Sequence, residues 1–116
     1  MDIELKVSFK GKSIKISARK MGFFGKIKGL MFKLPRENLL FEFSSDTSTK
    51  IHSFFVFYSF LAVWMDEKNR VLECKIVRPF TVAVSPEKPY RKLVEVPLNK
   101  KNTKIIEFFV GKETFK

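Results

Sequence analysis

Residues 3 to 9, Ile-Glu-Leu-Lys-Val-Ser-Phe, alternate strictly between apolar and polar side chains. Ile3, Leu5, Val7 and Phe9 share one face while Glu4, Lys6 and Ser8 share the other, the pattern of a half-buried strand. Lys10-Gly11-Lys12 makes a turn, and Ile14, Ile16 and Ala18 continue the alternation, so residues 3 to 18 read as a hairpin. The period then lengthens. Phe23, Ile27, Leu30, Met31 and Leu34 are spaced for one face of a helix, although Gly22, Gly25 and Gly29 each weaken it by about 1 kcal/mol relative to Ala. The spacing predicts one short helix within residues 20 to 31, ended before Pro35.

Leu39 to Phe43 reads as a strand, and Ser44 to Lys50 as a polar loop. Ile51 to Met65 is rich in β-branched and aromatic residues and suits two buried strands or one long bent one. Asp66 to Asn69 forms a hairpin turn, with Leu72, Cys74 and Ile76 on the core face of the returning strand. Pro79, Pro86, Pro89 and Pro97 punctuate short strands, and Ile105 to Val110 reads as the last strand, before Gly111. Short strands and one helix indicate a single mainly-β domain over residues 1–116, a sandwich or barrel.

The chain has 116 residues and a mass of 13.6 kDa. A globular chain of this mass buries roughly two-thirds of its unfolded surface, enough for one core without staples. With 45% hydrophobic and 30% charged residues, disorder is excluded. Fourteen Phe imply a core stabilised largely by aromatic burial. The single cysteine, Cys74, allows no internal disulfide, which fits a reducing compartment. The N-terminal segment alternates and is charged, unlike a secretory signal. The longest apolar run, Phe54 to Met65, is broken by Ser59 and falls short of the roughly 20 residues a membrane helix needs. A soluble, cytoplasmic protein is expected. Absent Gln and an 18 to 5 excess of Lys over Arg hint at a thermophile.

Charge changes the picture. The net charge is +11, and residues 6 to 36 hold ten basic residues and no acidic one. Such a block points to an anionic partner: nucleic acid, an anionic lipid surface or an acidic protein. Lys20, Lys26, Lys28, Lys33 and Arg36 flank the amphipathic stretch and are the candidate anion-binding residues. The plainer alternative is a set of solvating lysines on outward strand faces, which also deter edge aggregation.

Three segments carry a family resemblance. Gly29-Leu30-Met31-Phe32-Lys33 leads to Asn38-Leu39-Leu40-Phe41-Glu42-Phe43. Ile51-His52-Ser53-Phe54 is followed by Val63-Trp64-Met65-Asp66 and Arg70-Val71. Leu93-Val94-Glu95-Val96-Pro97 comes third. In order and spacing they resemble the widespread prokaryotic domain-of-unknown-function family numbered one hundred and ninety-two. The resemblance covers nearly the whole chain. It implies a compact, jelly-roll-like β fold with one helix, and it implies no reaction. This sequence departs from the family pattern between Phe54 and Val63. A basic position holds Phe57 and an acidic position holds Leu61. Losing both members of a buried ion pair together avoids a stranded charge, so a drier core, or the loss of a site that used the pair, is expected.

Few residues suggest catalysis. His52 is the only histidine, and an enzyme built on it would need a carboxylate such as Asp66, Glu42 or Glu95. Cys74 falls on a core face, where thiols are inert. One His and one Cys make a metal site unexpected. Trp64, Tyr58 and the Phe cluster suit either a ligand platform or plain core. Pro86 to Lys92 could line a barrel mouth or merely connect. No phosphate-loop, dinucleotide, serine-hydrolase or zinc-protease motif is present. The expectation is a non-enzymatic binding module without cofactor or metal. The alternatives are a small or degenerate enzyme with a pocket around His52, and an accessory protein for an acidic partner.

Overall fold

Two kinds of apolar pattern give two kinds of strand. Strict alternation yields β1 (Asp2–Phe9) and β2 (Lys12–Lys20), each burying one face. Near-continuous apolar runs yield strands buried on both faces. In β4 (Phe60–Met65) every residue is buried, and so are the last five residues of β6 (Tyr90–Pro97). β3 (Leu39–Thr47) begins with three buried residues and ends exposed, and β5 (Val71–Val77) is mostly half-buried. The computed structural model describes residues 2–20, 37–48, 58–79 and 84–111.

All six strands form one sheet in the order β1-β2-β3-β6-β4-β5. Every pairing is antiparallel except β2 with β3, which run parallel through Arg19–Leu39 and Lys20–Leu40. The sheet curls until its edges approach, where the Ser8 N–H donates to the Asn69 carbonyl at 3.0 Å. The result is a half-barrel, the barrel-like form of the expected architecture.

The β1–β2 turn follows from Lys10 and Gly11, both at positive φ (51° and 79°) as a two-residue hairpin loop requires. The β4–β5 turn is held by Asp66. Its Oδ1 accepts from the Lys68 and Arg70 N–H groups, both at 2.9 Å, and its Oδ2 accepts from Arg70 Nε at 2.6 Å. Trp64 pairs with Glu73 and Met65 with Val71, so Leu72 is the extra residue of a bulge. That corrects the expected core face. Cys74 and Ile76 pack inward, but Val71 takes the next inward place and Leu72 is exposed.

The C-terminal segment is also corrected. Residues 105–110 are not a strand; they lie in α1 (Thr103–Val110), preceded by a 3-10 turn at Lys100–Asn102. Asn99 Oδ1 accepts from the Asn102 N–H at 3.1 Å, and Asn102 Nδ2 donates to the Pro97 carbonyl at 2.9 Å. These bonds set the direction in which the chain leaves β6. Gly111 stops the helix at φ 85°. α1 buries Ile106 and Phe109 in the concave face of the sheet, among Leu5, Val7, Ile16, Leu61 and Val94. Phe9 caps this packing, with its ring 5.3 Å from Phe109 and 6.3 Å from Phe108.

The short helix predicted within residues 20–31 lies outside the described residues except for Lys20, which ends β2. One further expectation changes. The polar loop expected from Ser44 is still strand as far as Thr47.

Helical packing of 103–110 predicts an i, i+3 pattern of damage. Ile106→Ala and Phe109→Ala should each cost about 3 kcal/mol in urea unfolding. Phe108→Ala should cost clearly less. A strand would instead group Ile106 with Phe108 and Val110.

Candidate functional site

The two sheet faces carry different chemistry. On the β1–β2 hairpin the outer face is solvated, and Lys6 and Lys15 follow from the alternation that buries Leu5, Val7 and Ile16. Lys6 stands directly opposite Lys15, and Lys10 and Lys12 flank the turn; all four are exposed. Lys15 Nζ lies 4.0 Å from Glu4, and Lys10 sits 5.1 Å above the Phe9 ring centre. Among the described residues no other carboxylate pairs with these four lysines.

Of the five anion-binding candidates, only Lys20 is described. It closes β2 and pairs with Glu42 at 3.1 Å. Lys92 approaches the same carboxylate at 3.8 Å and donates to Asn69 Oδ1 at 2.8 Å. Lys26, Lys28, Lys33 and Arg36 lie outside the described residues, as do His52 and Phe57. The exposed lysines that the structure does show, Lys6, Lys10, Lys12 and Lys15, were legible as charge in the sequence. The register sets Lys6 opposite Lys15 on the outer face, while Lys12 stands opposite Phe9 and Lys10 lies over the Phe9 ring at the hairpin tip.

The carboxylates considered as partners for His52 fare differently. Asp66 is committed to its turn. Burial pushes its pKa up, but the backbone and side-chain donors of Arg70 and Lys68 outweigh that and lower it. Glu42 is shared between two lysines. Glu95 is the unusual one. It faces away from α1 on central β6, and it is buried. Its Oε2 has no hydrogen-bond partner. Burial alone pushes its pKa up to about 8.

Around Glu95 lies the second core cluster: Leu39, Phe41, Phe60, Ala62, Trp64, Val77, Tyr90 and Leu93. Tyr58 and Phe43 pack against it half-buried. Burial, and then the nearby Glu95 charge, push the Tyr58 pKa up to about 12. Tyr90 reaches about 12 for the same reasons, moderated by the Trp64 indole N–H. That N–H approaches the Tyr90 phenol without closing a well-formed hydrogen bond. Of the aromatic residues anticipated as core or platform, Trp64 and Phe60 are buried and Tyr58 is half-buried, beside a protonated carboxyl; Phe54, Phe55 and Phe57 lie outside the described residues. Alternation within Leu93-Val94-Glu95-Val96 would suggest an outward-facing Glu95; the two-sided burial of β6 places it inside.

Elsewhere the chemistry is sparse. Cys74 is half-buried, and burial pushes its thiol pKa up despite Lys10. Among the described residues no three His, Cys or carboxylate side chains gather as metal ligands, and no helix is long and apolar enough to cross a membrane. The loop before β6 is tied down where the Glu87 N–H donates to Glu73 Oε1 at 3.2 Å, and Tyr90–Lys92 already belong to the strand.

No family model matches the chain. A UPF0127 protein of Pyrococcus horikoshii is 31% identical over 88 residues, 74% of this chain and 76% of that protein. The chain belongs to the UPF0127 family. A UPF0127 protein of Pyrococcus furiosus is similar at 29% identity over 91 residues, 76% of this chain and 78% of that one. These relatives come from thermophilic archaea, in line with the compositional hint. A crystal structure of a protein of unknown function from Novosphingobium aromaticivorans superposes with a TM-score of 0.67 at 14% identity. It covers 90% of this chain and 78% of that one, and it shows that this UPF0127 chain shares an established fold.

Glu95 makes stability depend on pH in an uncommon direction. Its folded pKa, about 8, lies above the ordinary 4.5. The folded state thus keeps a proton that the unfolded chain releases. The stabilisation is full below about pH 4.5 and is lost as pH rises through 8. Unfolding free energy should fall between these values with a slope approaching about 1.4 kcal/mol per pH unit. Glu95→Gln should remove that slope; a variant that keeps it would show that another group titrates.

Proposed function

We propose that this UPF0127 chain is a non-enzymatic binding module whose basic β1–β2 hairpin contacts a polyanion, best represented by single-stranded nucleic acid. One observation carries the reading: Lys6 and Lys15 face each other across the hairpin with Lys10 and Lys12 at its tip. Directly opposed like charges destabilise a strand pair, and a bound row of phosphates would relieve them. Solvation alone needs no such opposition. Lys26, Lys28, Lys33 and Arg36 continue the basic segment in sequence and remain part of the proposed surface, while Lys20 is partly neutralised by Glu42. Phosphate contacts of this kind position a strand without reading its bases. We also read the Gly29–Phe43 and Leu93–Pro97 motifs as those of the family numbered one hundred and ninety-two, which adds no reaction to this reading.

Affinity for a short fluorescent single-stranded RNA, measured at about 50, 100 and 200 mM salt, tests the proposal. Four neutralised phosphates give a slope of about −3 in log K against log salt. A Lys6→Glu, Lys12→Glu, Lys15→Glu variant should lose the binding and the slope. Absence of binding at the lowest salt overturns the nucleic-acid reading. Binding to anionic vesicles, or to an acidic protein, in place of RNA would reassign the surface.

A further inference from the structure

The sheet face opposite α1 contains more polar chemistry than a core requires. Glu95 has Leu39 as its neighbour on β3 and Ala62 on β4. Along that face of β4 the order is Phe60, Ala62, Trp64, so the small side chain stands beside the carboxyl and a ring stands on either side of it. Trp64 meets Tyr90 edge-on at 6.4 Å and 68°, Phe43 meets Tyr90 at 5.5 Å and 89°, and Tyr58 meets Phe60 at 6.4 Å and 63°.

Two buried polar atoms of this cluster lack a well-formed hydrogen bond: Glu95 Oε2, and Trp64 Nε1, whose N–H only approaches the Tyr90 phenol. The described residues of the cluster contributed by β3, β4 and β5 are apolar or aromatic, and its titratable groups besides Glu95 are Tyr58, just before β4, and Tyr90, at the start of β6. No described Lys or Arg forms an ion pair with Glu95. A carboxyl with an unmade hydrogen bond stabilises no core, since Leu or Met would pack there without the desolvation cost. Ring faces and a carboxylate share one complement, which is positive charge.

We propose that Glu95, Trp64, Tyr90 and Tyr58 form a binding site for a compact organic cation, a protonated or quaternary amine. Glu95 is the counter-ion, the rings form the wall, and Ala62 sets the size. Tyr58 and Phe43, the half-buried members, form the rim through which the ligand enters. Glu95 itself is buried, so binding requires the cluster to open at that rim. Charge balances by exchange: the ammonium enters, Glu95 ionises, and its proton leaves to solvent. This site is separate from the basic hairpin, and its success or failure is independent of RNA binding.

The test uses the full chain in methylammonium, tetramethylammonium or sodium chloride at equal ionic strength. Two quantities are followed: the Tm, and the Glu95 carboxyl titration by carbon-13 NMR. An ammonium salt at about ten times its Kd should raise Tm by about 4 °C or more over sodium. It should also lower the Glu95 pKa by about one unit or more, with proton release below pH 8. Glu95→Gln should abolish the Tm gain, and Trp64→Phe should weaken binding severalfold while keeping a ring. If Glu95→Gln does not fold, the titration of the unsubstituted protein decides. Equal Tm and equal Glu95 pKa in all three salts overturn the proposal.

Discussion

β6 pairs antiparallel with β3 on one side and β4 on the other, so its backbone donors and acceptors are committed to the ladder along most of its length. Its side chains then have only two destinations, and both are buried. Val94 and Val96 enter the concave core with α1, while Leu93 and Glu95 enter the opposite cluster. Much of the architecture depends on this two-sided strand. β4 must be apolar at all six positions because it pairs with β6 and lies between the same two cores. α1 must fold back at once, because Val94, Val96 and Leu61 would otherwise lose their cover. The Asn99 and Asn102 side chains supply that reversal within a few residues of Pro97.

How much of this was legible in the sequence depends on how local each signal is. The β1–β2 hairpin needs only alternation and a turn that accepts positive φ, and both lie within residues 3–18. The Asp66 turn is similarly local, since one carboxylate holds its own loop. Ile105 to Val110 was illegible for a definable reason. Its β-branched and aromatic residues favour a strand by propensity, and eight helical residues show too few turns for a period to emerge. Tertiary packing against Phe9 and the concave sheet settles the matter. The Leu72 bulge was hidden because alternation assumes an unbroken register. Glu95 was hidden because a lone acid in an apolar strand looks outward-facing unless both of its neighbours are known.

The charge distribution follows the same division. The solvated hairpin tolerates exposed lysines, since only its inner face contributes to the core. Its surface ion pairs, such as Lys15 with Glu4, each contribute on the order of 1 kcal/mol or less. Toward β3, β6 and β4 both faces turn inward. On the α1 side charge is kept where it is paired, as in the Lys20–Glu42–Lys92 group, and on the other face Glu95 is neutralised by a proton. A protein with a net charge of +11 thus has exposed lysines at one edge and a protonated carboxyl among aromatic rings at the centre.

The departure from the family pattern can be placed on this map. Leu61, where the resembling family pattern has an acid, is wholly buried and faces the concave core with Leu40, Val63 and Ile106. An acid there would need a partner within a space that α1 fills with Ile106 and Phe109. Leu61 needs none. Glu95 lies on the opposite face, outside that packing. If Leu61 were simply part of a general drift toward apolar interiors, Glu95 would be the next residue to go, because its desolvation is uncompensated by any described cation. Its presence in the middle of the most constrained strand is therefore better explained by chemistry than by packing.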